Sequence, residues 1–224
     1  MTSFIFEKKQ ISVYPGASPD APVLYVNTVK EESELLYQAL QNAAASDFAL
    51  VTISGLAWEH DLSPWEIPPI SKNSPPCTQG ADEYLPLLTE RILPEAEAQL
   101  GGLPAWRALA GYSLAGLFAI YSLYHTALFS RAASISGSLW FPGFKGYVRS
   151  HEMKRTPDCL YFSLGSKEAK TRNPFLKQVR QDTEEIEAFY KGKGIDTAFF
   201  LNPGSHYTEP VRRTAAGLAW LLSR

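Results

Sequence analysis

Short apolar runs alternate with amphipathic stretches along most of this chain. The runs are typical of buried strands, and the stretches between them repeat apolar residues at helical spacing. One such stretch places Leu36, Ala39, Leu40 and Ala43 at positions i, i+3, i+4 and i+7. The runs predict eight strands, over residues 4–6, 11–14, 22–26, 48–53, 106–110, 131–135, 159–164 and 195–201.

Helices are predicted between these strands. Their apolar positions lie in residues 36–43, 84–92, 114 onwards, 176–190 and 211–222. Pro94 is predicted to kink or divide the second helix, because proline removes an intrahelical hydrogen bond. A long loop rich in Pro, Trp and Gly is predicted from Ser54 to about Gly80, and residues 137–156 have a mixed aromatic pattern.

This order of elements predicts an α/β protein. Strands alternating with helices favour a mostly parallel sheet with helices on both faces. The first two strands would extend one edge of the sheet as antiparallel strands. Eight strands in this rhythm are typical of the α/β-hydrolase fold, although other doubly wound folds share the rhythm and the fold alone does not decide function. The 224 residues suit one domain over 1–224.

Charge and composition narrow the classes of partner. The net charge of −2 indicates no nucleic-acid partner and no anionic membrane surface. The basic pair Arg212-Arg213 falls in a helical pattern, and we interpret it as solvated surface. No secretory signal or membrane-length apolar run occurs, and the two cysteines are too few for a disulfide framework, so a cytoplasmic location is predicted.

A serine at the centre of the chain has the setting of a nucleophile. Ser113 lies between a predicted strand and a predicted helix in the order G-x-S-x-A, with Gly111 before it and Ala115 after it. The G-x-S-x-G nucleophile elbow needs small residues at these positions because the turn is very tight. Ala115 replaces the usual glycine. The N–H of Leu114 would face a developing oxyanion, although a serine here could also simply cap the helix.

Candidates for the base and the acid follow in chain order. His206 comes after the last strand and before the last helix, the position of the histidine in α/β-hydrolases. Glu168 follows the preceding strand and is the only carboxylate in the next dozen residues. Asp158 precedes one strand and Asp196 lies at the start of another, so both would lie at the opposite edge of the sheet. The alternatives for His206 and Glu168 are exposed loop positions.

The remaining predictions concern binding. A second oxyanion donor is expected in the loop after the third strand, where the Thr28 backbone N–H is our candidate. Loops at the carboxyl edge carry function on such folds, so Trp58, Trp65 and Trp140 are predicted to line an apolar substrate pocket. The alternative is that the loop around Trp58 and Trp65 folds back on its own small core. No metal or other cofactor is predicted.

The motifs together resemble a known family. The stretches GYSLAGLFA, SISGSLW, LGSKE and PGSHY are similar to the esterase family of α/β-hydrolases that includes esterase D (S-formylglutathione hydrolase) and the iron-siderophore esterases. The similarity runs from about Pro22 to the C-terminus. Glu168 corresponds to that family's G-x-x-acid position, and Ala115 departs from its usual glycine. The resemblance implies hydrolysis of a small-molecule ester through an acyl-enzyme and leaves the substrate open.

Three hypotheses for function remain at this point. The first is a carboxylester or thioester hydrolase with a Ser113, His206 and Glu168 triad. The second is an acyltransferase on the same triad, because an acyl-enzyme reacts with acceptors other than water. The third is an inactive hydrolase fold that serves as a binding protein, for which Ala115 is the one supporting feature. The oligomeric state is not predicted.

Overall fold

A single sheet of eight strands forms the centre of the molecule. A computed structural model describes residues 1–72 and 74–224 of the chain. Its strands are β1 (Thr2–Phe6), β2 (Lys9–Tyr14), β3 (Val23–Asn27), β4 (Ala49–Ser54), β7 (Arg107–Tyr112), β8 (Arg131–Ile135), β9 (Cys159–Gly165) and β10 (Asp196–Asn202). Their order in the sheet is β1-β2-β4-β3-β7-β8-β9-β10. A separate two-stranded ribbon consists of β5 (Glu66–Ile67) and β6 (Cys77–Thr78).

The strand directions agree with the predicted fold. β1 and β2 are antiparallel to their neighbours, and β4, β3, β7, β8, β9 and β10 are parallel. The prediction of a mostly parallel α/β sheet with two antiparallel edge strands is therefore confirmed. Because the six parallel strands point the same way, the residues that follow them meet at one edge of the sheet.

Helices cover both faces of the sheet. They are α1 (Ser33–Ala43), α2 (Trp58–Asp61), α3 (Ala81–Pro86), α4 (Leu93–Glu97), α5 (Leu114–Ser122), α6 (Phe144–Ser150), α7 (Val179–Gly192) and α8 (Pro210–Leu222). Side chains of α1 and α8 pack on one face with Leu24 and Val26. The other helices pack on the opposite face with Val23 and Tyr25, as the alternation of side chains along a strand requires.

The predicted break at Pro94 takes a different form. A π-helical turn over Leu87–Ile92 joins α3 to α4, and Pro94 lies in the first turn of α4. The wider hydrogen-bonding pattern before Pro94 accommodates a residue that has no N–H and whose ring crowds the carbonyl four residues earlier.

Two segments predicted as loop or mixed contain short elements, and the mixed one, residues 137–156, contains α6. The predicted loop from Ser54 to Gly80 includes α2, β5 and β6, and its residue Asn73 lies outside the described residues. An ion pair of 2.9 Å between Lys9 Nζ and Asp61 Oδ2 ties α2 to the sheet. The three elements α2, β5 and β6 could not be predicted, because each is shorter than the patterns that identify helices and strands. Over the described ranges, no helix has the length and apolar character needed to cross a membrane.

Candidate active site

Ser113 occupies a strained turn between β7 and α5. Its backbone has φ 59° and ψ −122°, a conformation that is rare for residues other than glycine. The Ser113 N–H donates to the carbonyl of Ile135 at 3.1 Å, which anchors the turn to the neighbouring strand. Strain of this kind is characteristic of functional sites and places the half-buried hydroxyl above the carboxyl edge of the sheet.

The close packing at this turn explains why Ala115 fits. A Cβ atom placed on Gly111 would lie 2.5 Å from the carbonyl carbon of Ala115, so position 111 has no room for a side chain. The methyl group of Ala115 is fully buried against this glycine. A Cβ on Gly116 would in turn meet the Gly111 carbonyl oxygen at 2.9 Å. The turn therefore tolerates one methyl group, at Ala115, because Gly111 and Gly116 have none.

The structure brings the three predicted polar side chains together. His206 Nε2 lies 3.1 Å from Ser113 Oγ, and His206 Nδ1 lies 2.9 Å from Glu168 Oε2. With Glu168 ionised, Nδ1 carries the imidazole proton and donates a hydrogen bond to the carboxylate. Nε2 is then free to accept the Ser113 hydroxyl proton. These residues follow β7, β9 and β10, so the parallel sheet places them at one edge.

Glu168 is a buried carboxylate with many donors. Its side chain is 5% exposed, and besides His206 it accepts hydrogen bonds from the Gly165 N–H and, at 2.7 Å, from Ser136 Oγ. Burial alone raises the pKa of the Glu168 carboxyl, but the hydrogen bonds from His206, Gly165 and Ser136 outweigh it and lower that pKa to about 2. Glu168 is therefore an anion at neutral pH.

The interpretation of Arg213 as solvated surface is wrong. Its side chain is 5% exposed, and Nη2 lies 3.0 Å from Glu168 Oε1. Arg212 is exposed as predicted, with a side chain 80% accessible. The two arginines differ because successive residues of α8 point in different directions. The signal that could have separated them is spacing, since Arg213 lies one turn before the buried Gly217.

Three further residues of the site were not identified from the sequence. Tyr112 donates from its hydroxyl to the His206 carbonyl at 2.6 Å. Ser138 Oγ lies 3.4 Å from Ser113 Oγ, and its N–H donates to the Ser113 carbonyl at 3.0 Å. Ser136 follows β8 in a positive-φ conformation that aims its hydroxyl at Glu168. Their position at or just after the ends of β7 and β8, two strands that end at the site, was the available signal.

The two oxyanion predictions have different outcomes. Leu114 is the first residue of α5, so its N–H is among those with no acceptor inside the helix. The prediction of Thr28 as an oxyanion donor is wrong. Its N–H donates to the Ile53 carbonyl at 2.9 Å and is not free to bind an oxyanion. The chain then turns towards α1, on the face of the sheet opposite to α5.

A cavity of about 420 Å³ opens beside Ser113 and His206. Most of its wall is apolar, and Glu59 and Lys167 also line it. Trp58 and Trp140 belong to this wall, as predicted. Trp65 does not, since its indole N–H donates to the Pro142 carbonyl at 2.8 Å and its ring packs on Phe141. Of the two tryptophans of this loop, Trp58 therefore faces the cavity and Trp65 packs against the core.

The sheet order and the strand–turn–helix around Ser113 define the fold as that of the α/β-hydrolases. The model of the family described as "Putative esterase" matches residues 27–200, and the chain belongs to this family. The "Uncharacterized protein YbbA" of Bacillus subtilis (strain 168) is 24% identical over 191 residues, which cover 81% of this chain and 76% of that protein.

Solved structures share the fold over nearly the whole chain. "Siderophore hydrolase EstA from Aspergillus nidulans" superposes with a TM-score of 0.79 at 20% identity, covering 99% of this chain and 93% of that one. An "IroE-like serine hydrolase" from Shewanella oneidensis superposes with a TM-score of 0.80 at 19% identity, covering 96% of this chain and 76% of that one.

The packing at the elbow leaves room for a methyl group at position 115 but not at position 111. We expect Gly111→Ala to destabilise the protein by about 1–3 kcal/mol or to displace the turn, since the added methyl overlaps Ala115. Ala115→Gly is the matched control, and it should leave the serine in place with a smaller loss of stability. Urea unfolding of both variants measures the difference. Equal stability of Gly111→Ala and the wild type would contradict this account of the turn.

The lowered pKa of Glu168 predicts how stability depends on pH. The pKa is about 2 in the folded protein against an ordinary value of 4.5, so ionised Glu168 stabilises the folded state above pH 4.5. This contribution of about 3 kcal/mol is lost as the pH falls through about 2. The stability advantage of the wild type over Glu168→Gln should shrink accordingly between pH 5 and pH 2. Urea unfolding across this range measures it, with the exposed Glu95→Gln as a control that shows no such trend.

Proposed function

We propose that this protein hydrolyses a carboxylic or thio ester of a small molecule through a covalent acyl-enzyme. Ser113 is the nucleophile, His206 the general base and acid, and Glu168 the carboxylate that orients the imidazole. The observation that carries the proposal is the continuous chain of hydrogen bonds, 3.1 Å from Ser113 to His206 and 2.9 Å from His206 to Glu168.

In the acylation step, Ser113 Oγ attacks the carbonyl carbon of the ester while its proton moves to His206 Nε2. A bond forms between Oγ and the carbonyl carbon, and the carbonyl oxygen becomes an oxyanion. Glu168 stays ionised and stabilises the imidazolium through Nδ1. The tetrahedral intermediate then collapses as the imidazolium gives its proton to the leaving alcohol or thiol, which departs and leaves Ser113 acylated.

The oxyanion is stabilised by the N–H of Leu114 in this proposal. Leu114 begins the nine-residue helix α5, so the positive end of the helix dipole also faces the developing charge. Because Ser113 is held in its strained conformation before the substrate arrives, the hydroxyl and this N–H need little reorganisation during the reaction.

Deacylation repeats the sequence with water. His206 Nε2 takes a proton from a water molecule, whose oxygen attacks the acyl carbon. The second intermediate collapses with return of the proton to Ser113 Oγ and release of the carboxylic acid. The enzyme ends in its starting state.

The cavity favours an ester with an apolar group. Its wall combines tryptophans with aliphatic residues and prolines, among them Trp58, Ile67, Pro68, Trp140 and Leu176. Its volume of about 420 Å³ lies in the range of small-molecule pockets. The name of the similar Aspergillus nidulans protein, a siderophore hydrolase, adds siderophore esters to the substrates to be tried.

The first test compares two serines of the same cavity. Ser113→Ala should lower kcat on p-nitrophenyl acetate by roughly 10⁴-fold or more, because no acyl-enzyme forms. Ser138→Ala, 3.4 Å away, should retain activity within about tenfold, since this hydroxyl does not bond to the imidazole. Stopped-flow release of p-nitrophenol measures both variants. Full activity in Ser113→Ala would refute the proposal.

Product analysis separates hydrolysis from acyl transfer. With methanol added as a competing acceptor, a hydrolase still releases the free acid as its main product. Formation of the methyl ester alone, without acid, would make the protein an acyltransferase and would show that the hydrolytic step is wrong.

The second test concerns the pocket. Trp58→Ala and Trp140→Ala should each raise KM for an aryl ester by about tenfold, because each removes an aromatic wall of the cavity. Trp220→Ala is the control, since this tryptophan of α8 packs on Tyr161 away from the cavity. Its KM should not change. An unchanged KM in both cavity variants would assign substrate binding to another surface.

A further inference from the structure

One buried cation contacts the acid of the site and both ends of the loop that carries the base. We propose that Arg213 is a positioning residue, which fixes the carboxylate of Glu168 and the loop around His206 in the geometry needed for proton transfer and partly offsets the charge of that carboxylate. This proposal rests on the function proposed above for Ser113, His206 and Glu168.

The first set of contacts fixes the carboxylate. Arg213 Nη2 donates to Glu168 Oε1 at 3.0 Å and also to Ser136 Oγ, which in turn donates to the same Oε1 at 2.7 Å. The imidazole of His206 binds the other oxygen, Oε2. Because the two oxygens have different partners, the carboxylate cannot rotate without breaking one set of hydrogen bonds.

The second set of contacts fixes the loop of the base. Arg213 Nη1 donates to the carbonyls of Ser205 at 3.1 Å and Thr208 at 3.4 Å, which lie on either side of His206. Tyr112 adds a hydrogen bond to the His206 carbonyl, and its ring lies 5.5 Å from the guanidinium carbon. The same guanidinium therefore sets the position of the imidazole and of the carboxylate that orients it.

These contacts need the shape of arginine. A planar guanidinium donates in several fixed directions at once, whereas a lysine ammonium is a single compact charge. Here Nη1 donates to the loop around His206 and Nη2 donates to the carboxylate of Glu168. Burying a cation to this degree costs free energy unless the cation is paired and hydrogen-bonded. Arg213 is therefore held in the site by its partners and does not act as a solubilising surface charge.

The charge of Arg213 has a separate consequence. The ionisable groups that face the imidazole are those of Glu168, Tyr112, Tyr207, Lys167 and, across the cavity, Glu59, with Arg213 behind the carboxylate. Removal of the guanidinium charge leaves the Glu168 carboxylate uncompensated beside His206. The protonated imidazole is then favoured, and in that form it cannot accept the Ser113 proton.

The experiment compares three variants with the wild type on p-nitrophenyl acetate over pH 5–9. Arg213→Met removes the charge and the donors, Arg213→Lys keeps the charge alone, and Arg212→Met changes the exposed neighbour, whose partner is Glu209. Circular dichroism and thermal unfolding establish which variants are folded.

We expect kcat of Arg213→Met to fall by about a hundredfold while KM changes by less than about threefold, since the residue does not line the cavity. The acid limb of its kcat/KM profile should move to higher pH by roughly one unit, the effect of removing a unit charge several ångströms away. Arg213→Lys should lose part of kcat and keep the acid limb of the wild type. Arg212→Met should behave as the wild type.

Several results would overturn the positioning role. An Arg213→Met variant whose rate falls equally at every pH would indicate a purely structural residue, and so would a Lys variant with the same displaced limb. If Arg213→Met does not fold, Arg213→Lys tests the positioning role alone. A wild-type kcat in Arg213→Lys would contradict the need for the guanidinium.

The proposed function fails separately, through full activity of Ser113→Ala. If Ser113→Ala is inactive but the Arg213 variants keep the kcat and the pH profile of the wild type, only the positioning role is overturned.

Discussion

The geometry of the site depends on one buried carboxylate. Glu168 accepts hydrogen bonds from its own loop, from the segment after β8, from α8 and from the loop after β10. Removing a carboxylate from water costs free energy. The hydrogen-bond donors around Glu168 outweigh this cost, so the anion is the stable form. Segments at the ends of three different strands, β8, β9 and β10, thus share one partner. Their relative positions are fixed by the requirement that this charge be satisfied.

A second constraint acts at the turn of Ser113. The backbone there is held in an unfavourable conformation by the hydrogen bond to Ile135 and by close contact between Gly111 and Ala115. The strain is tolerated because the fully buried helix α5 and its two neighbouring strands overdetermine the turn. The serine and the carboxylate are therefore positioned by different means, the first by packing and the second by hydrogen bonds. They meet through the imidazole of His206.

These two means of positioning explain what the sequence could predict. The strands and the neighbourhood of Ser113, Glu168 and His206 follow from periodicity and chain order, which are local properties. Arg213 was misjudged because its burial depends on acceptors at positions 168, 205 and 208, which no local pattern connects. Trp65 was misjudged for the same reason, since its indole partner is Pro142. Thr28 failed because a backbone N–H at a strand end bonds to the adjacent strand when an acceptor is available there.

The residues proposed for the reaction and the cavity proposed for the substrate belong to different parts of the molecule. Ser113, Glu168 and His206 stand on turns at the ends of sheet strands, whereas much of the cavity wall comes from the segment between β4 and α3 and from the start of α7. The first group has little freedom, because Ser113 is fixed mainly by packing at its turn and Glu168 and His206 are fixed by hydrogen bonds to other elements. The second is joined to the sheet at fewer points, among them the Lys9–Asp61 ion pair and the bond from Trp65 to Pro142. Substitutions in the cavity wall can therefore change the shape of the cavity without disturbing the hydrogen bonds among Ser113, His206 and Glu168. In the proposed reaction, such substitutions would change which ester binds and leave proton transfer intact.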